Sequence, residues 1–255
     1  MPRFSANLGF LWSDLSLPDA IRAAKVAGFD AVECHWPYAF NAEDVKAALQ
    51  ETGLQMLGLN TLRGDVASGE HGLAALVGRE EEARKAIDEA IAYAIVISAR
   101  NIHVMAGFAS GDRAHATFVS NLIYACEQAK KYGIAILIES INHFDAPGYF
   151  LSTTVQAKAI IEEVGACNLK LMFDCYHVQL MEGDVSNRLQ KLQLIIGHIQ
   201  FASVPDRGTP DHGDLNYADV FEVIDKMGYD MPLGAEYKSS LKTDETLGWM
   251  KVFAS

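Results

Sequence analysis

Short apolar runs and longer amphipathic stretches alternate from one end of this chain to the other. The short runs cover residues 4–11, 31–34, 55–59, 101–105, 134–138, 169–173, 195–201 and 233–236. Stretches with apolar positions recurring at helical spacing cover 18–27, 42–51, 79–98, 115–132, 154–164 and 217–227. The apolar runs are nearly continuous rather than alternating with polar residues, as in strands covered on both faces. Eight such strands interleaved with helices predict parallel βαβ units. The boundary residues agree. Pro18 stands in the first turn of the first helix and Gly28 just past its end. Gly133 and Gly228 stand before the fifth and eighth strands, and Ser152, Thr153 and Thr154 offer caps for the fifth helix.

The pattern predicts an α/β fold, a (β/α)₈ TIM barrel, as a single domain over residues 1–255. The competing architecture, an open doubly wound sheet, needs a glycine-rich phosphate loop after an early strand. The first strand here leads instead into L-W-S-D-L-S-L-P. The longest aperiodic segment, residues 60–78, follows the third strand. In a barrel it would lie at the C-terminal ends of the strands, where active sites form.

Composition narrows the function. The formal net charge is −12 and no basic stripe is present, which argues against a nucleic-acid or acidic-membrane partner. An anionic substrate would therefore need a local positive centre. Cys34, Cys126, Cys167 and Cys175 form no C-x-x-C pair. They are expected to be reduced thiols of a cytoplasmic protein. The apolar patch near the N-terminus is too short for a signal peptide or a membrane span.

Four polar residues close apolar strands: Glu139 in I-A-I-L-I-E, Asp174 in L-K-L-M-F-D, Gln200 in I-I-G-H-I-Q and Glu236 in P-L-G-A-E. Their separations of 35, 26 and 36 residues are each about one βα unit. In a closed barrel they would stand at one depth near the axis. Three carboxylates and an amide oxygen make a hard oxygen site suited to a divalent metal, magnesium or manganese rather than zinc. Singly, each could be a strand-end residue with a local hydrogen bond. Together, three acids at one depth repel unless a cation or shared protons compensate. His177, Arg207 and Lys238 follow these strand ends closely; His103 closes the fourth strand and could line the cavity, as could Asn7, both ranked below the strand-end set. Arg207 suits a bidentate contact with a substrate carboxylate. Lys238 reads as a solvated loop charge, and His177 as either a substrate contact or a core histidine. Trp12 and Asn60 rank lower as cavity residues. Trp249, Met250 and Phe253 pack either on the barrel or on a second subunit of a homo-oligomer, the intrachain choice being the simpler.

At these residues the chain resembles the hydroxypyruvate isomerase family of xylose-isomerase-like barrels. The resemblance runs through R-F-S-A-N-L, G-D-V-A-S-G-E-H-G-L, G-R-E-E-E, H-V-M-A-G and L-I-E-S-I-N-H-F-D-A-P-G-Y. It continues through N-L-K-L-M-F-D-C-Y-H, M-E-G-D, G-H-I-Q-F-A, D-H-G-D-L-N-Y and G-A-E-Y-K. It implies a divalent metal held by Glu139, Asp174, Gln200 and Glu236. It also implies that Glu139 and Glu236 exchange a substrate proton during interconversion of hydroxypyruvate and tartronate semialdehyde. His177, Arg207, His103 and Asn7 are the expected substrate contacts. Three positions depart from the family: Ser140 replaces a proline, Ala235 a cysteine, and His71 the arginine of G-E-R-G in the long third loop. The last removes a fixed positive charge from a loop expected to cover the pocket. Alternatives are the same chemistry on a 2-oxotetronate, a ketose 3-epimerase, a sugar dehydratase, a barrel nuclease and a non-catalytic sugar-acid binder. L-I-E-S-I-N and M-F-D-C-Y-H look closer to the hydroxypyruvate branch than to the oxotetronate branch.

Overall fold

The computed structural model describes residues 2–253. Met1, Ala254 and Ser255, the extremes of the expected domain, lie outside the described residues. The strands are β1 (Phe4–Asn7), β2 (Ala31–Glu33), β3 (Gln55–Met56), β4 (Gly58–Asn60), β5 (Asn101–His103), β6 (Ala135–Glu139), β7 (Leu169–Asp174), β8 (Ile196–Phe201) and β9 (Leu233–Ala235). They pair in the order β3-β2-β1-β9-β8-β7-β6-β5-β4, in parallel throughout. β3 and β4 are two pieces of one stave, parted at Leu57. Leu57 N–H bonds to Val32 O at 2.7 Å and Cys34 N–H to Gly58 O at 3.0 Å, so the two ends of the sheet meet and eight staves close a barrel. This is the predicted fold.

The helices are α1 (Leu17–Ala27), α2 (Ala42–Thr52), α3 (Glu80–Ile97), α4 (Gly111–Lys130), α5 (Thr154–Val164), α6 (Cys175–Met181), α7 (Val185–Leu192), α8 (Tyr217–Lys226), α9 (Thr243–Thr246) and α10 (Gly248–Phe253). Each longer one buries an apolar stripe on the barrel, as Ala20, Ile21 and Ala24 of α1 do. Ser16, Asn41, Thr153 and Asn216 cap α1, α2, α5 and α8 by accepting backbone N–H groups. Gly28 ends α1 at φ 94°, a left-handed conformation that costs glycine little.

Three details differ from the sequence expectation. β1 stops at Asn7, because Asn7 Oδ1 accepts the Gly9 N–H and the backbone turns onto Asn7 O. α4 begins at Gly111, earlier than its apolar spacing suggests. β7 runs straight into α6 with no connecting loop: Asp174 ends the strand and its Oδ1 caps the helix by accepting Tyr176 N–H at 2.9 Å. At the other end of the chain, Trp249 is fully buried against Phe4 and Phe201, and Phe253 packs on Phe221. The C-terminal aromatics thus pack on their own barrel. No helix among the described residues is long and apolar enough to cross a membrane.

Candidate active site

Parallel staves bring residues of equal depth together, and here that depth is acidic. Glu139 ends β6, Asp174 ends β7 opposite Gln200 of β8, and Glu236 follows β9. Glu139, Asp174, Gln200 and Glu236 are all at least nine-tenths buried. The carboxylates of Glu139, Asp174 and Glu236 and the ring of His177 offer atoms that all lie within 4.8 Å of one another. Four of the residues singled out in the sequence therefore meet in space.

Their environments differ. Glu236 is held by three donors: Asn7 Nδ2 at 2.9 Å and His35 Nε2 at 3.0 Å on Oε1, and Arg207 Nη2 at 2.7 Å on Oε2. Burial alone would raise its pKa, but Arg207 and His35 outweigh it and hold Glu236 well below the usual carboxylate range. Glu139 has no comparable donor. The ring nitrogens nearest to it, His103 Nδ1 and His177 Nε2, stand at 3.6 and 3.7 Å. Burial, with Glu236 and Asp174 beside it, pushes Glu139 well above its ordinary value. Burial and Glu236 likewise push Asp174 up to about 8, against the pull of Arg207. Arg207 lies at the centre of the acids, within 3.6 Å of Asp174 and Asp145 as well as on Glu236. Its own backbone is left-handed, at φ 56°.

His177 comes from α6. One turn beyond Asp174, it folds back to place Nε2 at 3.5 Å from Asp174 Oδ2. Its Nδ1 accepts from Asn142, through the backbone N–H at 3.3 Å and Nδ2 at 2.6 Å. Burial and Arg207 lower its pKa to about 3, so the ring is neutral. A neutral ring that accepts at Nδ1 carries its hydrogen on Nε2. His177 thus presents a donor, not a lone pair, to the carboxylates. Gln200 has the opposite character. Its Nε2 donates to Glu33 Oε1 at 2.7 Å, which leaves Oε1 buried with no partner.

Glu33 and His35 are functional neighbours that sequence reasoning missed. Glu33 ends β2, the same strand-end position as the three acids and the amide, so the rule that found them also applies to it. It takes hydrogen bonds from Asn7 Nδ2, Gln200 Nε2 and His198 Nε2. A Cβ on Gly234 would meet both Glu33 carboxylate oxygens at 2.7 Å, so this close approach requires the glycine. Asn7 bridges Glu33 and Glu236 with one amide nitrogen and lines a small lower chamber. That chamber is about 30 Å³ in volume, with Glu139, Gln200 and Glu236 also on its walls.

Above it opens a cavity of about 330 Å³, lined by His103, Glu139, His177, Arg207 and Glu236. His103 is neutral, its pKa lowered by burial to about 3, and neither ring nitrogen has a hydrogen-bond partner among the described residues. The third loop supplies His71 and Arg63 to the cavity wall. Burial, with Arg63 next, lowers the pKa of His71. The loop's positive charge is thus carried by Arg63 instead of residue 71. Lys238 also reaches the cavity rim, exposed as expected.

Residues 21–253 match the family model of the xylose isomerase-like TIM barrel. The chain is 46% identical to the 2-oxo-tetronate isomerase of Cupriavidus necator, with 99% of each chain covered. It is 41% identical to the hydroxypyruvate isomerase of Escherichia coli, with 98% of each covered. This protein belongs to the hydroxypyruvate isomerase/2-oxo-tetronate isomerase family. Among solved structures, an AP endonuclease family 2 protein from Brucella melitensis superposes with a TM-score of 0.96 at 37% identity, with 99% of each chain covered. The chain is an isomerase of the hydroxypyruvate/2-oxo-tetronate type. Over the whole chain the 2-oxo-tetronate relative is the more similar of this pair, so overall identity does not favour the hydroxypyruvate branch to which the two motifs point.

A divalent cation fits the centre of this isomerase. Asp174 Oδ2 and Gln200 Oε1 are buried with no hydrogen-bond partner, and hard oxygen donors surround them. Protons and the cation compete for the same carboxylates. Asp174, pushed up to about 8, holds a proton at neutral pH without the cation and must lose it on binding. Apparent manganese affinity should therefore rise between about pH 6 and about pH 8. Calorimetry near pH 6 in buffers of different ionisation enthalpy should register at least one released proton, and none would contradict the coupling. Glu33→Gln frees the Gln200 amide to turn. It should weaken manganese binding roughly 10–100-fold, the range for loss of a group that orients a metal ligand. Unchanged affinity would remove Glu33 from that role.

Proposed function

We propose that this isomerase interconverts hydroxypyruvate and 2-hydroxy-3-oxopropanoate (tartronate semialdehyde) through a cis-enediolate. The observation that supports this most is the unequal pair of glutamates, Glu139 without a strong donor and Glu236 with three. Environments that push two like groups apart divide the roles of acid and base between them.

Glu139, Asp174, Gln200 and Glu236 would hold magnesium or manganese, which would supply Lewis acidity to the substrate. Each remaining step belongs to the chain's own groups. Glu139, the more basic carboxylate, takes the proton from C3. The C–H electron pair becomes the C2–C3 double bond, and charge moves to the C2 oxygen. A proton then returns to C2, the C3 oxygen becomes the carbonyl, and its hydrogen passes to the C2 oxygen. Glu236 faces Glu139 as the second proton carrier. Arg207 keeps Glu236 ionised, and Asn7 and His35 fix its orientation. His177 aims Nε2–H, and His103 an unpartnered ring, at the oxygens on which charge develops.

A second substrate is favoured by the 46% identity to a 2-oxo-tetronate isomerase. Moving a carbonyl from C2 to C3 of 2-oxotetronate is the same proton transfer beside the same carboxylate. The only addition is a hydroxymethyl group on C3. A cavity of about 330 Å³ leaves room for it beside a three-carbon acid. An NMR assay of both keto acids and a set of ketoses, with and without added magnesium or manganese, identifies substrate and product. It also separates isomerisation from 3-epimerisation and dehydration. Glu139→Gln and Glu236→Gln should each lower turnover by roughly 10²–10⁴-fold, the usual contribution of a positioned acid or base. Circular dichroism should remain native. Near-normal turnover in either variant would remove the two-glutamate scheme.

A further inference from the structure

We propose that Arg63, stacked on Trp36 at the mouth of the barrel, receives the carboxylate of the substrate and selects keto acids over neutral ketoses. The inference rests on the isomerase reading above and names the part of the site that recognises the anion.

Arg207 is the obvious anion receptor in the sequence, but its charge is already taken. One nitrogen lies 2.7 Å from Glu236, and Asp174 and Asp145 are both within 3.6 Å. A substrate carboxylate there would also face Glu139. Repulsion from three buried acids would oppose it. A keto acid must therefore keep its carboxylate away from the floor while bringing C2 and C3 to it.

Arg63 satisfies that requirement. It lines the same cavity as Glu139 and Glu236. Its guanidinium carbon lies 3.7 Å from the Trp36 ring centroid, and it has no ion pair among the described residues. Burial lowers its pKa. In a chain of net charge −12, an unpaired arginine in the catalytic cavity points to an anionic ligand. Stacking occupies the flat face of a guanidinium and leaves its edge of N–H donors free, the edge that grips a carboxylate with two bonds. The platform beneath is fixed. Trp36 Nε1 donates to Thr61 O at 3.1 Å, and its ring packs against His35 and His71. Lys238 is the other unpaired cation at the rim, but it is exposed and lies 5.4 Å over Phe10. Water screens it more than it screens Arg63.

The test uses the manganese-loaded protein and Arg63→Gln, which keeps a polar side chain but removes the charge. For hydroxypyruvate, KM should rise at least tenfold while kcat stays within a few-fold. For pyruvate, a carboxylate probe with no C3 hydroxyl to isomerise, Kd from tryptophan fluorescence should rise at least tenfold. Hydroxyacetone, its neutral counterpart, should show no such change. Pyruvate binding that is absent from the wild type, or equal in wild type and variant, overturns the proposal, as does a loss confined to kcat. If the wild type binds pyruvate through Arg63 yet turns over neither hydroxypyruvate nor 2-oxotetronate, the carboxylate site stands and the proposed reaction falls.

Discussion

The organising constraint of this molecule is mutual repulsion among three buried carboxylates. Glu139, Asp174 and Glu236 offer atoms within 4.8 Å of one another. At that separation two unit charges repel by roughly 3–4 kcal/mol at an effective dielectric of about 20. Closed staves and interlocked helices hold the backbone at that cost. Arg207 cancels one of the three charges. The other two require protons, or a single divalent cation. The raised pKa values of Glu139 and Asp174 describe the proton solution. The unpartnered oxygens of Asp174 and Gln200 fit the cation solution. Gln200 matters here because its buried amide oxygen would offer a cation a further donor without a fourth charge. Glu33 turns that amide so that its oxygen, and not its nitrogen, is free.

The same logic gives the cavity a direction. Its floor is acidic, its walls carry neutral imidazoles, and an unpaired arginine stands at its mouth. An anionic keto acid aligned on this gradient would meet the carboxylates with its carbonyl and hydroxyl and the guanidinium with its acid end. A protein of net charge −12 can thus take an anionic substrate without a basic surface, because the positive charge is local. The family pattern has an arginine at residue 71, where this chain has His71. Arg63 provides the charge from the same loop.

Much of this was legible in the sequence. Continuous apolar runs at βα spacing gave eight staves, and the polar residue closing each of four runs gave the converging centre. Register explains only part of that step: Asp174 and Gln200 are direct partners, but Glu139 stands opposite Met172 and Gln200 opposite Gly234, so Glu139 and Glu236 join the centre through the stagger of neighbouring staves. Less visible was anything that depends on side-chain direction. Asn7 reads as a substrate contact, but its amide is engaged by two glutamates below the main cavity. His177 falls beside Asp174 only because β7 passes into α6 without a loop, and no apolar period announced α6. Whether its ring donates or ligates depends on Asn142, a residue 35 positions away in the chain. Glu33 was within reach of the strand-end rule and was not drawn in.

One divalent cation held by the four strand-end residues, between Glu139 and Glu236, would satisfy these constraints together. Anomalous diffraction from crystals of the manganese-loaded protein, collected at the manganese edge, tests it most directly. The expected result is a single strong peak bounded by oxygens of Glu139, Asp174, Gln200 and Glu236, with His177 Nε2 outside its coordination. A peak ligated by His177 in place of Gln200, or no peak at the barrel mouth, would contradict it.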